Sequence, residues 1–207
     1  MIEPFKGDDY RPLRSHSLSI FVLGESSCDP NSPEELLPLD WNKRIIDCVF
    51  KGERDPTINK AVDVFYDVPP LFPEGHRSFW RTAAFANFVQ HNLGDKNRRP
   101  TPSQWKAGQE PFEEYLIDLQ PQFVLVLGKG VWDSLPARYR KGLPPITLDS
   151  NSKPQPCCLY PNDAGYAFVF AIDHPSYWQR KKRTVSYYRP WVRAAIEAAK
   201  QFHSNPL

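Results

Sequence analysis

The chain has 207 residues, of which 41% are hydrophobic, and a formal net charge of +2 at pH 7. These values are typical of one folded domain with a sizeable core, and they argue against a disordered chain. No apolar run approaches the ~20 residues of a membrane-spanning helix, and the N-terminus lacks the apolar core of a signal peptide. We therefore predict a single domain over 1–207 that is cytoplasmic, monomeric and not bound to membranes.

The spacing of the four cysteines indicates whether the chain has a typical metal-binding motif. Cys28 and Cys48 are isolated, and Cys157 and Cys158 are adjacent, so that no CxxC pair is present. This pattern is typical of reduced thiols in an intracellular protein without a zinc knuckle. We expect neither a metal ion nor a cofactor.

The charge is uneven along the chain. Residues 174–203 contain seven Arg or Lys against one acid, Glu197, while the remainder of the chain is net acidic. A basic end of this kind favours an anionic partner, although a solvated helix face has the same composition.

Apolar runs and turn residues define the predicted elements. In chain order they are a strand over 18–24, helices over 34–50, 57–68 and 77–84, a strand over 85–90, a helix from 101 to 120, a strand over 123–128, a helix over 130–135, a strand over 166–172 and a helix over 190–202. Short buried strands that alternate with helices indicate an α/β protein, which we predict to be a three-layer αβα sandwich with a central parallel four-stranded sheet.

Polar residues follow the predicted strands. Glu25, Ser26 and Ser27 come after the first strand, Asn87 lies in the second and His174 comes after the fourth. Ligands of parallel sheets bind at the carboxyl ends of the strands. We therefore expect Glu25, Asn87 and His174 to line one cleft.

Three segments in this order, Gly24-Glu25-Ser26, Asn87 and His174-Pro175-Ser176, resemble motifs of the uracil-DNA glycosylase superfamily. The stretch from Asn87 to Gly128 is similar to the iron–sulfur branch of that superfamily: it has an Arg-Pro-rich loop, Thr-Pro, a helix and a strand that ends in Leu-Gly. The resemblance covers 18–202, but residues 28–78 match no part of the family pattern.

The chain departs from the family pattern at two places. His91 and Gly108 stand where the iron–sulfur branch has cluster cysteines, and the early cysteine pair is missing. Because these cysteines are missing, we expect no iron–sulfur cluster in this protein. Ser26 stands where the best-known branch has its water-activating aspartate, whereas Glu25 matches a glutamate of the iron–sulfur branch.

The resemblance implies a DNA N-glycosylase, a hydrolase of base-excision repair that removes a deaminated or damaged base of the uracil type. The catalytic positions are then Glu25, Ser26 and His174, with Asn87 reading the edge of the flipped base. His174 would donate a hydrogen bond to the departing base. A carboxylate would orient the water: Glu25 is the first choice, Asp29 the second and Asp173 the third.

The same resemblance places the DNA-gap wedge four residues after the histidine, at Trp178. The residues predicted to hold flanking phosphates are Ser176, Arg180, Lys181, Lys182 and Arg183. Structural roles are the competing interpretation: Glu25, Asn87 and His174 as hydrogen-bonding groups, Trp178 as a core aromatic, and 180–183 as a solvated turn. Two alternative functions remain open, a catalytically inactive protein that binds DNA or nucleotides and a hydrolase of small nucleosides.

Overall fold

The computed structural model describes residues 1–11, 18–28, 37–95, 98–150 and 152–204. Within these ranges it contains the strands β1 Phe5–Lys6, β2 Ile20–Gly24, β3 Ala83–Asn87, β4 Phe123–Leu127, β5 Lys141–Gly142, β6 Cys157–Asn162 and β7 Gly165–Ile172. They form one sheet in the order β1-β3-β2-β4-β7-β6-β5. The protein is therefore of the α/β class.

The sheet is mixed and has seven strands, which corrects the predicted four-stranded parallel sheet. Strands β3, β2, β4 and β7 pair in parallel, and they correspond to the four predicted strands. Strands β1, β6 and β5 add to the two sides in antiparallel pairings. The sequence pattern missed β1 and β5 because two residues are too few to show an alternation. It also missed the six-residue strand β6, whose sequence CCLYPN contains a proline.

The helices are α1 Trp41–Phe50, α2 Pro56–Asp63, α3 Glu74–Thr82, α4 Pro102–Ala107, α5 Gln109–Leu119, α6 Lys129–Ser134 and α7 Val185–Ser204, with a 3-10 turn over Pro175–Tyr177. No helix in the described part of the chain is long and apolar enough to cross a membrane.

Several predicted helices have other bounds in the structure: α2 ends at Asp63 rather than at 68, and α3 spans Glu74–Thr82 rather than 77–84. Two others differ in how they begin or divide. The helix predicted from Thr101 is divided into α4 and α5 at Gly108, where a Cβ would lie 2.5 Å from the carbonyl oxygen of Phe88. The terminal helix begins at Val185 and contains Pro190, which we had predicted as its first residue. The close contact between Gly108 and Phe88 therefore accounts for the division between α4 and α5.

The two faces of the sheet carry separate hydrophobic cores. Val22 packs on one face with residues of α1, α2, α3 and α7. Phe21 and Leu23 point to the opposite face and pack with residues of α5 and α6. All three β2 side chains are fully buried. Burial of one such side chain contributes about 1.5–3 kcal/mol, so the alternation in β2 ties both helical layers to the sheet.

The strand register brings the candidate residues to one edge. Gly24 of β2 pairs with Asn87 of β3, and Leu127 of β4 pairs with Ile172 of β7. Because these strands are parallel, the segments that follow Gly24, Leu127 and Ile172 leave the sheet on the same side.

Candidate functional site

Two adjoining cavities lie at this edge of the sheet. Their volumes are about 390 Å³ for the first and about 420 Å³ for the second. Glu25, Arg99, His174 and Tyr177 line both of them and form the shared wall. Volumes of this size fall within the usual range of small-molecule sites.

The first cavity confirms the expected cleft. Glu25, Asn87 and His174 all line it, although they are far apart in sequence. Phe85 also lines it, and it is two residues before Asn87 on β3, so both side chains point to the same face of the sheet. The cavity thus combines an apolar wall with many polar and charged groups, which could fix the orientation of a small ligand.

Asn87 is fixed by its neighbours. Its backbone N–H donates to Oδ1 of Asn42 (3.2 Å), and its side-chain Nδ2 donates to Oγ of Ser27 (2.9 Å). The indole N–H of Trp41 donates to the same Ser27 oxygen. Ser27 occupies one of the two amide hydrogens of Asn87, which leaves Oδ1 and the second N–H for other partners.

Gly24 provides the space for this amide. A Cβ at position 24 would lie 2.4 Å from Oδ1 of Asn87, well inside contact distance. Glycine is therefore required here by the close approach of the Asn87 side chain.

Glu25 is a buried carboxylate with one cationic partner. The residue is 9% exposed, and Nη1 of Arg99 donates to its Oε1 over 2.8 Å. Burial raises the pKa of Glu25 above its ordinary value of 4.5, and Arg99 partly offsets the increase through its charge and hydrogen bond. A carboxylate with a raised pKa is better matched to proton transfer near neutral pH.

His174 is held in one tautomer. The backbone N–H of Ser176 donates to Nδ1 of His174 (3.3 Å), and Oγ of Ser176 lies 2.7 Å from the same nitrogen. Because Nδ1 accepts a hydrogen bond, the proton of the neutral ring is on Nε2. Burial, together with the positive charge of Arg99, lowers the pKa of His174 to about 4. At pH 7 the ring is a neutral donor through Nε2–H.

Gly128 lies next to both Glu25 and His174. It follows β4 with a φ of +117°, and a Cβ there would lie 3.3 Å from Cβ of His174 and 3.5 Å from Oε2 of Glu25. Glu25 and His174 therefore both lie close to the same glycine. The Leu-Gly ending of the strand is the only sequence signal for this position.

The prediction of Trp178 as the DNA wedge is wrong in this structure. Trp178 is 1% exposed, its indole N–H donates to the carbonyl oxygen of Asp173 (2.7 Å), and its ring packs at 4.7 Å from that of Tyr188. It is a core aromatic. The neighbouring Tyr177 is the aromatic residue of this turn that lines both cavities.

Asp173, the third-choice carboxylate, belongs to a structural network. It accepts hydrogen bonds from Lys181 (2.7 Å), Arg183 and Tyr188 (2.6 Å). Burial opposes its ionisation, but the hydrogen bonds from Lys181 and Tyr188 and the charges of Lys181 and Arg183 outweigh that effect and lower the pKa of Asp173. With both oxygens engaged, Asp173 is a poor candidate for orienting water.

The predicted phosphate contacts divide into two groups. Lys181 and Arg183 form ion pairs with Asp173, whereas Arg180 and Lys182 do not; of the four, Arg180, Lys181 and Lys182 are exposed at the surface. Arg180 lies 5.8 Å from the ring centre of Tyr177. Two of the four cations in residues 180–183 are therefore paired with Asp173, and the other two are not.

The remaining candidates are placed as follows. Ser26 is half-buried and lines the first cavity, whereas Asp29 lies outside the described residues. Arg99 was missed from sequence because its role depends on a loop that returns to the edge of the sheet. In the part of the chain that the structure describes, no three His, Cys, Asp or Glu side chains are grouped as a metal site requires.

No protein-family model matches the chain, and no curated protein matches it. The function of the site is therefore inferred from its own residues and from the motif resemblance.

Proposed function

We propose that the protein is a DNA N-glycosylase of the uracil-DNA glycosylase type, built on a three-layer αβα sandwich with a parallel centre. It would hydrolyse the bond between deoxyribose and a flipped, deaminated or damaged base. The observation that carries this proposal is the meeting of a buried carboxylate, a fixed amide and a neutral imidazole in one cavity. Glu25, Asn87 and His174 are the three groups that such a reaction needs.

His174 would stabilise the leaving group. Cleavage of an N-glycosidic bond leaves negative charge on the base, and a preorganised donor near that charge lowers the barrier. The Nε2–H of His174 supports this role because Ser176 holds the opposite ring nitrogen as an acceptor. A neutral ring is sufficient for this hydrogen bond.

Asn87 would recognise the base. Uracil presents N3–H next to a carbonyl oxygen, and a side-chain amide pairs with both through its C=O and N–H. Cytosine presents the reverse pattern at these atoms and fits the same amide orientation poorly. Phe85 would supply the apolar wall against which the base ring packs.

Glu25 would act on the sugar side. Its ionised form would orient a water molecule and offset the positive charge on the sugar carbon. Its position next to Gly128, beside His174, supports this division of labour. Ser26 has no carboxylate and would serve only as part of the loop.

DNA binding would use the exposed cations Arg180, which lies beside Tyr177, and Lys182. We predict that the double variant Arg180→Gln, Lys182→Gln weakens binding to any duplex and reduces the slope of log K against log salt by about 1.8, because each lost phosphate contact removes ~0.9. The measurement is a salt titration by fluorescence anisotropy. The charge-matched control is Lys43→Gln, Arg44→Gln on α1, for which the slope should stay unchanged. Equal slopes in both double variants would place the DNA surface elsewhere.

The proposed activity is tested directly with oligonucleotides. We expect the wild-type protein to produce abasic sites in at least one duplex or single strand that contains uracil, hypoxanthine, xanthine or an alkylated base. The readout is alkaline cleavage of a labelled strand. The Glu25→Gln variant, purified by the same procedure, is the control for contaminating glycosylase. A wild type that forms no abasic site with any base would contradict the proposal.

A second candidate is a DNA-binding or nucleotide-binding protein that does not cut. The observation that favours it is Ser26, which takes the place of the aspartate of the best-known branch. The Ser26→Asp variant separates the two functions. If the wild type is inert and Ser26→Asp gains excision, the pocket binds without catalysis.

A further inference from the structure

Arg99 occupies the wall between the two cavities. Its side chain is 54% exposed, whereas the side chain of Glu25, to which it is paired, is 11% exposed. An exposed cation thus reaches inward to a carboxylate that is almost closed off from solvent. Most surface ion pairs contribute little, but this one has a desolvated partner.

A second contact orders the guanidinium. Cζ of Arg99 lies 4.5 Å from the ring centre of Tyr177, while Nη1 donates to Glu25. Stacking on an aromatic ring restricts the plane of an arginine and reduces the conformational entropy lost when it forms a hydrogen bond. Tyr177 therefore serves as a platform that directs Arg99 toward Glu25.

The groups around Glu25 differ in charge. Arg99 faces it from the loop between β3 and α4, and the neutral His174 faces it from the turn after β7. Gly128 and Gly130 face it from the start of α6 and carry no side chain, and Cys28 of its own loop is a thiol whose pKa is raised by burial. The other charged residues that line the two cavities together with Glu25 are Asp55, Arg98, Lys129, Asp173 and Lys181. Arg99 is the cation that forms an ion pair and a hydrogen bond with Glu25.

The charge of Arg99 acts on both catalytic candidates. It lowers the pKa of Glu25 against the effect of burial, and it lowers the pKa of His174 in the same direction as burial. The first effect favours the ionised carboxylate, and the second favours the neutral imidazole. One cation therefore biases each group toward the form that hydrolysis of an N-glycosidic bond requires.

We propose that Arg99, stacked on Tyr177, is a positioning residue that holds Glu25 as an oriented carboxylate beside a neutral His174. This inference rests on the proposed glycosylase function, since it assigns a role within the same site. In this role Arg99 acts on the substrate only through Glu25. It acts through the charge and direction of the Glu25 carboxylate.

The test is the pH dependence of single-turnover excision in Arg99→Gln. Without the guanidinium Glu25 stays protonated to higher pH, so we expect a loss on the order of tenfold on the acid side that diminishes as the pH rises. Arg99→Lys keeps a positive charge and should restore most of the acid-side activity. A loss of the same size at every pH would overturn the proposal, since it would indicate a purely structural role.

The matched control is Arg138→Gln. Arg138 is 66% exposed, is paired with the mostly buried Glu113 and lies 4.7 Å from the ring centre of Tyr139, but it lines neither cavity. Its removal eliminates an equivalent ion pair and stacking contact, and the pH profile should not change. A shift in Arg138→Gln equal to that in Arg99→Gln would also contradict the proposal.

A readout without turnover separates this inference from the proposed function. The Glu25 carboxyl carbon and the His174 ring are titrated by NMR in the wild type and in Arg99→Gln. Both midpoints should move to higher pH in the variant. If the protein excises no base but both midpoints move, the glycosylase proposal fails while the electrostatic role of Arg99 holds; if neither moves, the role of Arg99 fails.

Discussion

Replacement of Glu25 by Gln is expected to lower the rate of base excision by at least ~100-fold, the lower end of what a positioned general base contributes. The amide has nearly the same shape as the carboxylate, but it cannot take a proton from water or offset positive charge on the sugar. Its oxygen can still accept the hydrogen bond from Arg99 that Glu25 accepts at 2.8 Å. The measurement is the single-turnover rate on the base that the wild type removes fastest.

The control for Glu25→Gln is Ser26→Ala in the same loop. Ser26 is half-buried and lines the same cavity, so its truncation tests whether any change in this loop is harmful. We expect its activity to stay within a few-fold of the wild type. An active wild type whose Glu25→Gln variant keeps full activity would show that another carboxylate orients the water, and Asp29 would then be tested.

The sequence was sufficient to locate the edge of the sheet that carries the site. Apolar runs over 18–24, 123–128 and 166–172 contain β2, β4 and most of β7, because strands buried on both faces leave continuous hydrophobic stretches. The polar residues that follow such strands are few. Glu25 and His174 are identified from such positions, whereas Asn87 falls inside the predicted strand over 85–90 and its assignment depends also on the motif resemblance.

The details of the site depended on contacts that a linear pattern does not encode. Trp178 and Tyr177 are adjacent, and the 3-10 turn over Pro175–Tyr177 determines which of them points into the core and which faces the cavities. Arg99 reaches Glu25 across 74 residues of sequence. Long-range partners of this kind become visible only when the loops are placed around the sheet.

The pairing of the cations in residues 180–183 could not be predicted from the sequence either. From sequence alone, residues 180–183 are four equivalent cations. In the structure Asp173 pairs with Lys181 and Arg183, which leaves Arg180 and Lys182 as the two cations of the run that are not paired with Asp173. Net charge predicted an anionic partner, but the acid that divides the run lies several residues before it.

Replacement of His174 by Ala is expected to reduce excision by 10²–10³-fold or more, on the order of what the loss of one oxyanion donor costs. The leaving base then develops its charge without the Nε2–H donor. Ser176→Ala is the matched comparison, since it removes the hydroxyl at 2.7 Å but keeps the backbone N–H that fixes the tautomer. We expect Ser176→Ala to keep most of the activity, and an equal loss in both variants would show that the hydroxyl takes part in the chemistry.

The lowered pKa of His174 also predicts how the stability of the protein depends on pH, which can be measured without a substrate. Its pKa of about 4 in the folded protein lies below its ordinary value of 6.5 because burial and Arg99 disfavour the cation. The unfolded chain therefore binds more protons between these two values, so the stabilisation that depends on a neutral His174 is complete above pH 6.5 and is lost as the pH falls toward 4. Urea unfolding at pH 7 and pH 4.5 should show a smaller acid destabilisation in His174→Gln than in the wild type. The same acid destabilisation in both proteins would mean that His174 is readily protonated in the folded state, and the neutral donor assigned to it would have to be given up.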